Sequence, residues 1–365
     1  MSRYMEEALQ LAERGRGLTS PNPAVGAVLV RDGTVVGRGF HTWAGVDHAE
    51  IMALKEAGEA ARGSTLYVTL EPCSHHGRTK PCVDALIEAG VGRVVAAMQD
   101  PNPRVRGQGF ERLRSTGITV VLDEEHRPAA QRLNEAFIHF MTTGRPLVTI
   151  KAALTLDGKI AAPQDNLGWI TSEIARADVQ LIRHFSDSIL TGLGTVLEDD
   201  CLLTDRSGRE RSRPLLRIVL DSQLRIPLHS RMIASAKGDV LVVGTSAAPR
   251  QRREALEGVG VRVLIADGQG GRTDPRAVIA YLAEERYLSL MVEAGSKVNW
   301  TMLDSQMADK ILFYYAPKIL GGLKSLPVAG GAGRMRRADA ILLERVTVHP
   351  ISTDEFAVEA YVVKS

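Results

Sequence analysis

Residues 48–57, HAEIMALKEA, and residues 65–82, TLYVTLEPCSHHGRTKPC, combine a helix pattern, a strand pattern and three side chains suited to binding a metal. His48, Cys73 and Cys82 supply one imidazole and two thiolates, the usual protein ligands of a zinc ion that keeps its fourth position open for water. A zinc-bound water loses a proton near neutral pH and becomes a nucleophile. These stretches therefore predict an α/β domain with a catalytic zinc site.

Glu50 lies two residues after the first predicted ligand. Hydrolytic removal of an amine needs a group that takes a proton from water and delivers it to the leaving nitrogen, and a carboxylate can do both. Nucleobase deaminases use such a Glu without binding it to zinc, although their cysteines are closer together than the two cysteines here. Two alternatives remain open, namely chance co-occurrence and a structural zinc site with a fourth ligand from His75, His76 or Cys201.

Length and composition limit the classes of protein to consider. A chain of 365 residues is expected to form two domains, and its 44% apolar content suits a soluble fold without membrane spans. The acidic N-terminus predicts no export or transit signal, and three cysteines are too few for a disulfide framework, so we expect a cytoplasmic protein. A net charge of +2 argues against a nucleic-acid-coating surface.

Strand and helix patterns alternate outward from the metal motif. Asp32-Gly33 predicts a hairpin turn, and the helices and strands up to residue 125 predict a sheet flanked by helices. We place the domain boundary in the connection before Pro146, which gives domains 1–145 and 146–365. The second domain is again α/β, and we expect its strand-rich end to add antiparallel closing strands to an open sheet.

The second domain lacks the familiar nucleotide-binding fingerprints. Neither GxGxxG nor GxxxxGK[ST] occurs in the required context. Gly295 and Ser296 lie between a strand and a helix start, where free backbone amides attract anions, although a plain turn explains them equally well. From the residues alone, the ligand of this domain stays open.

Four segments of the first domain, at 19–30, 41–50, 69–82 and 98–109, resemble the deaminase half of the bifunctional riboflavin-biosynthesis deaminase/reductase family. The long loop between the cysteines distinguishes that family from cytidine and tRNA adenosine deaminases. The resemblance implies a cytidine-deaminase-like three-layer α/β/α domain. It also implies His48, Cys73 and Cys82 as Zn²⁺ ligands, Glu50 as proton shuttle and Asn22 beside the substrate ring. His41, His75 and His76 stay open between pocket lining and solvated loop.

Segments of the second domain, including KAALTLDGKIA at 151–161, GLGTVLEDD at 192–200 and MVEAGSKV at 291–298, resemble the reductase half of the same family. The resemblance implies a dihydrofolate-reductase-like α/β fold. The residues that it implies for NADPH binding are Ala153, Trp169, Thr195, Asp199, Ser222, Gly295, Ser296, Lys297, Val298 and Asn299. Those that it implies for substrate binding are Lys151, Leu167, Thr171, Arg183, Leu203, Arg206 and Glu293. Cys201 and Leu167 depart from the family pattern.

The implied function is sequential. The first domain would deaminate 2,5-diamino-6-ribosylamino-4(3H)-pyrimidinone 5′-phosphate, and the second would reduce the ribosyl chain with NADPH to give 5-amino-6-ribitylaminouracil 5′-phosphate. The alternative is a deaminase with a degenerate, non-catalytic reductase domain. A nucleic-acid-directed deaminase is disfavoured by balanced charge and 5% aromatic content, and a zinc-stabilised binding module would not need Glu50. The expected partner is the small pyrimidine ribose-phosphate, with no nucleic acid and no membrane, in a homo-oligomer, dimer or tetramer.

Overall fold

The computed structural model describes residues 3–42, 47–74, 80–164 and 168–364. The chain forms two compact units, one of Met1–Arg145 with Glu210–Arg213 and one of Pro146–Arg209 with Pro214–Ser365. The short segment 210–213 therefore groups with the first unit, where the Ser212 amide donates to the Gly17 carbonyl at 3.1 Å.

The first unit contains one five-stranded sheet in the order β2-β1-β3-β4-β5. β1 is antiparallel to β2 and β3, whereas β3, β4 and β5 are parallel. Helix α2 packs on α3 and α3 on α4, while α1 packs on α5, so helices form layers on both faces of the sheet. Its elements are α1 (Arg3–Arg14), β1 (Gly26–Arg31), β2 (Thr34–Phe40), α2 (Ala49–Ala57), β3 (Thr65–Val68), α3 (Cys82–Glu88), β4 (Arg93–Ala96), α4 (Gln108–Ser115), β5 (Thr119–Leu122), α5 (Arg127–Leu133) and α6 (Glu135–Thr143).

Two short-range features position α2, which carries Glu50. Asp32 and Gly33 both have positive φ, 49° and 77°, as the predicted tight hairpin turn between β1 and β2 requires. Within β2, a Cβ on Gly37 or Gly39 would lie 2.1 or 2.0 Å from backbone carbonyls of α2. Glycine at these two positions therefore lets the helix pack directly against the strand.

The second unit contains a nine-stranded sheet and a small two-stranded sheet, β14-β7. Its elements are β6 (Leu147–Thr155), β7 (Lys159–Ala161), α7 (Glu173–Phe185), β8 (Ser188–Gly192), α8 (Leu193–Asp199), β9 (Leu216–Leu220), α9 (Arg231–Ala234), β10 (Val240–Gly244), α10 (Arg250–Gly258), β11 (Arg262–Ile265), α11 (Pro275–Glu284), β12 (Ser289–Val292), α12 (Ser296–Asp304), β13 (Lys310–Ala316), β14 (Leu326–Pro327), β15 (Leu343–Pro350) and β16 (Phe356–Val362).

The large sheet has the order β11-β10-β9-β8-β12-β6-β13-β16-β15. All strands from β11 to β13 are parallel, and only β16 and β15 are antiparallel. The expectation of antiparallel closing strands is therefore right for the last two strands and wrong for β12 and β13. Helix α12 connects β12 to β13, and such a crossover makes the strands parallel. The predicted α/β architecture of both units is confirmed.

Apolar side chains cover both faces of the parallel strands. Ile218 of β9 and Leu241 of β10 belong to one buried cluster, while their chain neighbours Val219 and Val242 belong to another. Successive residues of a strand point to opposite faces, so both faces are buried beneath helices. Among the helices of the described residues, none has the length and apolar character needed to traverse a bilayer.

Candidate active sites

Three chain segments bring the predicted metal ligands together in the first unit. His48 directly precedes α2, Cys73 follows β3, and Cys82 is the first residue of α3. The Nδ1 atom of His48 lies 3.5 Å from the Cys73 Sγ and 3.2 Å from the Cys82 Sγ. Over the described part of the chain, these three form a group whose donor atoms lie within 4.8 Å of one another. His75 and His76 fall outside the described residues.

The charges of this group suit a divalent cation. The pKa of Cys73 is lowered to about 4, first by the hydrogen bond from the Cys82 thiol and further by His48, against the effect of burial. The same contact, together with burial, raises the pKa of Cys82. The hydrogen bond with Cys73 raises the pKa of His48 to about 9. Without a metal, the three side chains share protons, which is why their pKa values shift in opposite directions. Zn²⁺ binds two thiolates and a neutral imidazole in place of those protons, so the donor set fits that ion.

Glu50 lies in the first turn of α2 and is only 3% exposed. Burial raises the pKa of Glu50 to about 7, and the Cys73 thiolate adds to the shift. A bound cation would act in the opposite direction, by attraction. The carboxyl group also contacts the Cys82 thiol. Glu50 is therefore a buried carboxyl held at the ligand cluster, where a carboxyl group can take and return a proton.

Asn22 reaches the same region through His41. The Asn22 Nδ2 lies 3.1 Å from the His41 Nε2, and the rings of His41 and His48 are 5.0 Å apart, edge to face. His41 is 6% exposed, so it is not the side chain of a solvated loop, and burial lowers its pKa. The Asp47 carbonyl lies 3.2 Å from the other ring nitrogen. The structure therefore places Asn22 and His41 beside the three predicted metal ligands.

Glu71, two residues before Cys73, was missed by the sequence reasoning. Its carboxylate is 5% exposed and accepts backbone amides of Asp100, Gly107 and Gly109 at 2.9 to 3.1 Å. A Cβ on Gly109 would lie 2.3 Å from the Pro72 carbonyl. Glu71 thus fixes the segment 100–110 against the loop that carries a metal ligand. The sequence feature that could have indicated this role is the acidic residue within LEPC at 70–73, next to a predicted metal ligand.

The second unit has a cavity of about 1840 Å³ along the carboxyl ends of its parallel strands. Ten lysines and arginines and four carboxylates line it, which suits anionic ligands. The predicted residues that line it are Lys151, Ala153, Trp169, Thr171, Arg183, Thr195, Asp199, Leu203, Arg206, Ser222, Glu293, Gly295, Ser296, Lys297 and Val298. Cys201 also lines it, and burial raises the pKa of this thiol to about 11.

Among the described residues, one predicted residue, Asn299, does not line this cavity. Leu167 lies outside the described residues. Asn299 is 0% exposed, and its Nδ2 donates to the Val328 carbonyl at 2.9 Å. Asn299 follows Ser296 by three residues on α12, and both bond to the segment at 327–328. Asn299 therefore packs inward on α12, and its contact with the cofactor stays a prediction.

A buried ionic cluster occupies the cavity wall between β6, β12 and α7. Glu293 accepts from the Lys151 Nζ at 3.2 Å and from the Arg183 guanidinium through two nitrogens at 2.9 and 3.1 Å. Burial alone would raise the pKa of Glu293, but Lys151 and Arg183 outweigh it and lower the pKa to about 2. Glu293 therefore stays ionised and fixed in position.

Helix α7 anchors the loop that carries Leu203 and Arg206. The Arg183 Nη1 donates to the Thr204 carbonyl at 3.1 Å, and the Gln180 Oε1 accepts the Arg206 amide at 2.9 Å. His184 pairs with Asp205 at 2.9 Å, and the two side chains are 2% and 7% exposed. Gln180, His184 and Asp205 were not predicted, because their function depends on where the loop returns to the helix.

The strand order also locates a crevice in this unit. β8 and β12 are neighbours, but the chain continues from β8 to β9 on one side and from β12 to β13 on the other. Nucleotides bind α/β sheets at such a point, beyond the carboxyl ends of the strands. Gly295 caps α12 there, so free amides at the helix start lie at the cavity.

Comparisons with known proteins agree with these two sites. The first 98 residues match the family model of the cytidine and deoxycytidylate deaminase zinc-binding region, and residues 146–354 match that of the RibD C-terminal domain. The riboflavin biosynthesis protein RibD of Escherichia coli is 44% identical over 89% of this chain and 90% of its own length. The RibD of Aquifex aeolicus is 42% identical over 87% of each chain.

Solved structures give the same result over almost the whole length. Acinetobacter baumannii RibD, form 1, superposes with a TM-score of 0.87 at 34% identity, covering 99% of this chain and 98% of that one. The deaminase/reductase of Thermotoga maritima gives 0.84 at 35% identity, with the same coverage. The chain therefore belongs to the RibD family of riboflavin biosynthesis, enzymes that join a zinc-binding deaminase domain to an NADPH-dependent reductase domain.

Proposed function

We propose that the first unit deaminates 2,5-diamino-6-ribosylamino-4(3H)-pyrimidinone 5′-phosphate and that the second reduces the ribosyl chain of the product. The printed name of the Thermotoga maritima relative, a diaminohydroxyphosphoribosylaminopyrimidine deaminase and 5-amino-6-(5-phosphoribosylamino)uracil reductase, supports this substrate. The observation that carries the proposal is the convergence of His48, Cys73 and Cys82 beside the buried carboxyl of Glu50.

In the deaminase site, His48, Cys73 and Cys82 would hold Zn²⁺, which would supply a nucleophilic water near neutral pH. Glu50 would take a proton from the attacking water and return it to the nitrogen that leaves as ammonia. Its burial keeps bulk water from competing for this proton. Asn22, held by His41, binds the pyrimidine ring through its amide.

In the reductase site, Glu293 accepts hydrogen bonds from hydroxyl groups of the ribosyl chain. Arg183 is 8% exposed and already engaged by Glu293 and Thr204, so it positions both and has little capacity for a phosphate. Arg206 is exposed, and no described residue makes an ion pair with its guanidinium. We therefore assign the substrate phosphate to Arg206, with its backbone held by Gln180.

The cofactor site follows the crevice between β8 and β12. NADPH supplies a hydride to C1′ of the opened sugar imine when bound. The amides of Gly295 and Ser296 would hold the diphosphate of the cofactor. The Thr195 Oγ1 lies 3.8 Å from the position that a Cβ on Gly295 would take. Trp169 is 68% exposed and has Arg176 over its ring at 4.9 Å, so one aromatic face is available for stacking.

The alternative, a degenerate reductase, is tested together with the main proposal. Purified protein is incubated with the pyrimidine phosphate, with and without NADPH, and the products are analysed by mass. Without NADPH we expect a gain of about one mass unit, as oxygen replaces NH, and with NADPH a further gain of about two. A first gain without the second would establish the degenerate reductase, and no gain at all would refute the deaminase proposal.

A homo-oligomer, dimer or tetramer, is supported by the edge strand β15. Leu343, Val346 and Val348 on this strand are 41%, 59% and 60% exposed, and such an edge readily pairs with a second copy. Val346→Lys should lower the mass measured by light scattering, whereas a wild-type monomer would refute the proposal.

A cytoplasmic location is supported by the three free cysteines, because thiol ligands need a reducing compartment.

A further inference from the structure

Tyr314 on β13 links the cavity of the second unit to helix α7. It lines the cavity, although only 1% of the residue is exposed. The phenol donates to the Asp178 carboxylate on α7 at 2.6 Å. Burial raises the pKa of Tyr314, and the hydrogen bond to Asp178 raises it further, so the phenol stays protonated and remains the donor. Tyr314 is therefore a buried residue whose ring is fixed at the wall of the cavity.

Lys151 lies beside this ring. Its Nζ is 5.9 Å from the centre of the Tyr314 ring, within the range of a cation–π contact, and donates to the Glu293 carboxylate at 3.2 Å. β6 lies between β12 and β13, and Tyr314 pairs with Ala153, which follows Lys151 by two residues and so points to the same face. An ammonium has three N–H donors, and among the described residues only Glu293 accepts one. Lys151 therefore has donors left for a ligand in the cavity.

Asp178 holds the ring and neutralises no cation. Within the parts of the chain that the structure describes, its carboxylate forms no ion pair, and its hydrogen-bond partner is Tyr314. Five residues farther along α7, Arg183 binds Glu293. The helix is thus tied to the sheet at two points, through Glu293 and through Tyr314, and both of these residues contact Lys151. A side chain locked by packing and by such a hydrogen bond can hold a functional group in one geometry.

We propose that Tyr314, held by Asp178, is a positioning residue of the reductase site: its ring fixes the ammonium of Lys151 so that the unused N–H donors face the substrate. The inference rests on the proposed function, in which this cavity binds the deaminated intermediate. Tyr314 and Asp178 act through the lysine and not on the reacting atoms. Loss of the ring, or of the hydrogen bond that fixes it, therefore weakens binding of the intermediate and leaves NADPH binding unchanged.

Calorimetric binding of the deaminated intermediate to the full-length protein, without NADPH and so without turnover, tests this role. Tyr314→Phe and Asp178→Ala each remove the hydrogen bond and should raise the Kd about three- to tenfold. Asp178→Asn keeps an acceptor for the phenol and should stay within about twofold of the wild type. The matched control is Tyr315→Phe, because the Tyr315 ring points to the other face of the sheet and stacks on Phe356 at 5.2 Å. This variant should bind the intermediate as the wild type does.

A double-mutant cycle with Lys151 separates positioning from a merely structural role. If the ring acts through the ammonium, Tyr314→Leu should raise the Kd about tenfold in the wild type but less than about twofold in the Lys151→Met protein. Equal effects in the two backgrounds would overturn the proposal. Wild-type binding by both Tyr314→Phe and Asp178→Ala would overturn it as well.

Asp178→Ala carries the same cycle if Tyr314→Leu does not fold, because Asp178 is a partly exposed residue of a helix. Its effect should also disappear in the Lys151→Met protein. Steady-state oxidation of NADPH with the deaminated intermediate distinguishes failure of this role from failure of the proposed function. If the wild type oxidises no NADPH, the reductase proposal fails. If the wild type is active and the Tyr314 and Asp178 variants keep its Kd and KM, only the positioning role is refuted.

Discussion

The two sites of this enzyme are built in opposite ways. The deaminase site is compact: its four decisive residues lie between positions 48 and 82, and the donor atoms of His48, Cys73 and Cys82 lie within 4.8 Å of one another. The reductase site is a cavity of about 1840 Å³, with wall residues from Lys151 to Leu326. Metal chemistry needs a few atoms in strict geometry, whereas a dinucleotide and a sugar phosphate need a long surface. A single substitution in the first site should therefore abolish its activity, whereas single substitutions in the second site should each reduce activity only partly.

The largest expected effect is at Glu50. Glu50→Gln keeps the size of the side chain but removes the proton-transferring carboxylate, so ammonia release should fall by about 10²- to 10⁴-fold. Zinc content and NADPH oxidation on the deaminated intermediate should match the wild type. Ammonia release is measured in a coupled assay and zinc by elemental analysis. Undiminished ammonia release would contradict the role assigned to Glu50.

Breaking the ionic cluster of the second site should affect stability as well as activity. Glu293→Ala leaves Lys151 and Arg183, each 8% exposed, without their shared partner, so the second unit should lose about 3–5 kcal/mol of unfolding free energy. Glu293→Gln retains the shape and one acceptor and should lose less. Urea unfolding measures both variants, with ammonia release as the control. A Glu293→Ala protein as stable as the wild type would contradict the buried cluster.

How far the sequence predicts each site follows from the same contrast. The proximity of His48, Cys73 and Cys82 could be predicted, because these residues are close along the chain and chemically distinctive. The burial of Asn299 could not be predicted, because adjacent residues of a helix point to different sides of α12. Glu71 was missed because its acceptors belong to a segment about 30 residues away. In both cases the missing information was the packing of chain segments that are distant in sequence.

Stability of the second unit should also depend on pH through Glu293. Its folded pKa, about 2, is below the ordinary 4.5, so its contribution is present above pH 4.5 and is lost as pH falls toward 2. The shift corresponds to about 3 kcal/mol. Urea midpoints from pH 6 to 3 should therefore fall more steeply in the wild type than in Glu293→Gln. Parallel curves for the two proteins would contradict the lowered pKa.

The smallest expected effect concerns the loop on α7. Gln180→Ala removes one acceptor from the Arg206 amide, at a cost of about 0.5–1.5 kcal/mol. The KM of the reductase for the deaminated intermediate should rise about two- to tenfold with kcat nearly unchanged, because binding geometry changes and hydride transfer does not. Ammonia release should be unaffected. A fall in kcat at constant KM would instead place Gln180 in the chemical step.

The most direct test of the account is metal removal from the intact chain. Elemental analysis should find one zinc per chain. Chelation should abolish ammonia release while NADPH oxidation on the deaminated intermediate continues, since the described residues of the second unit contain no group of three or more His, Cys, Asp or Glu side chains placed to hold a metal. Restored zinc should restore ammonia release. Full ammonia release from metal-free protein would contradict the assignment of His48, Cys73 and Cys82 as ligands of a catalytic zinc ion.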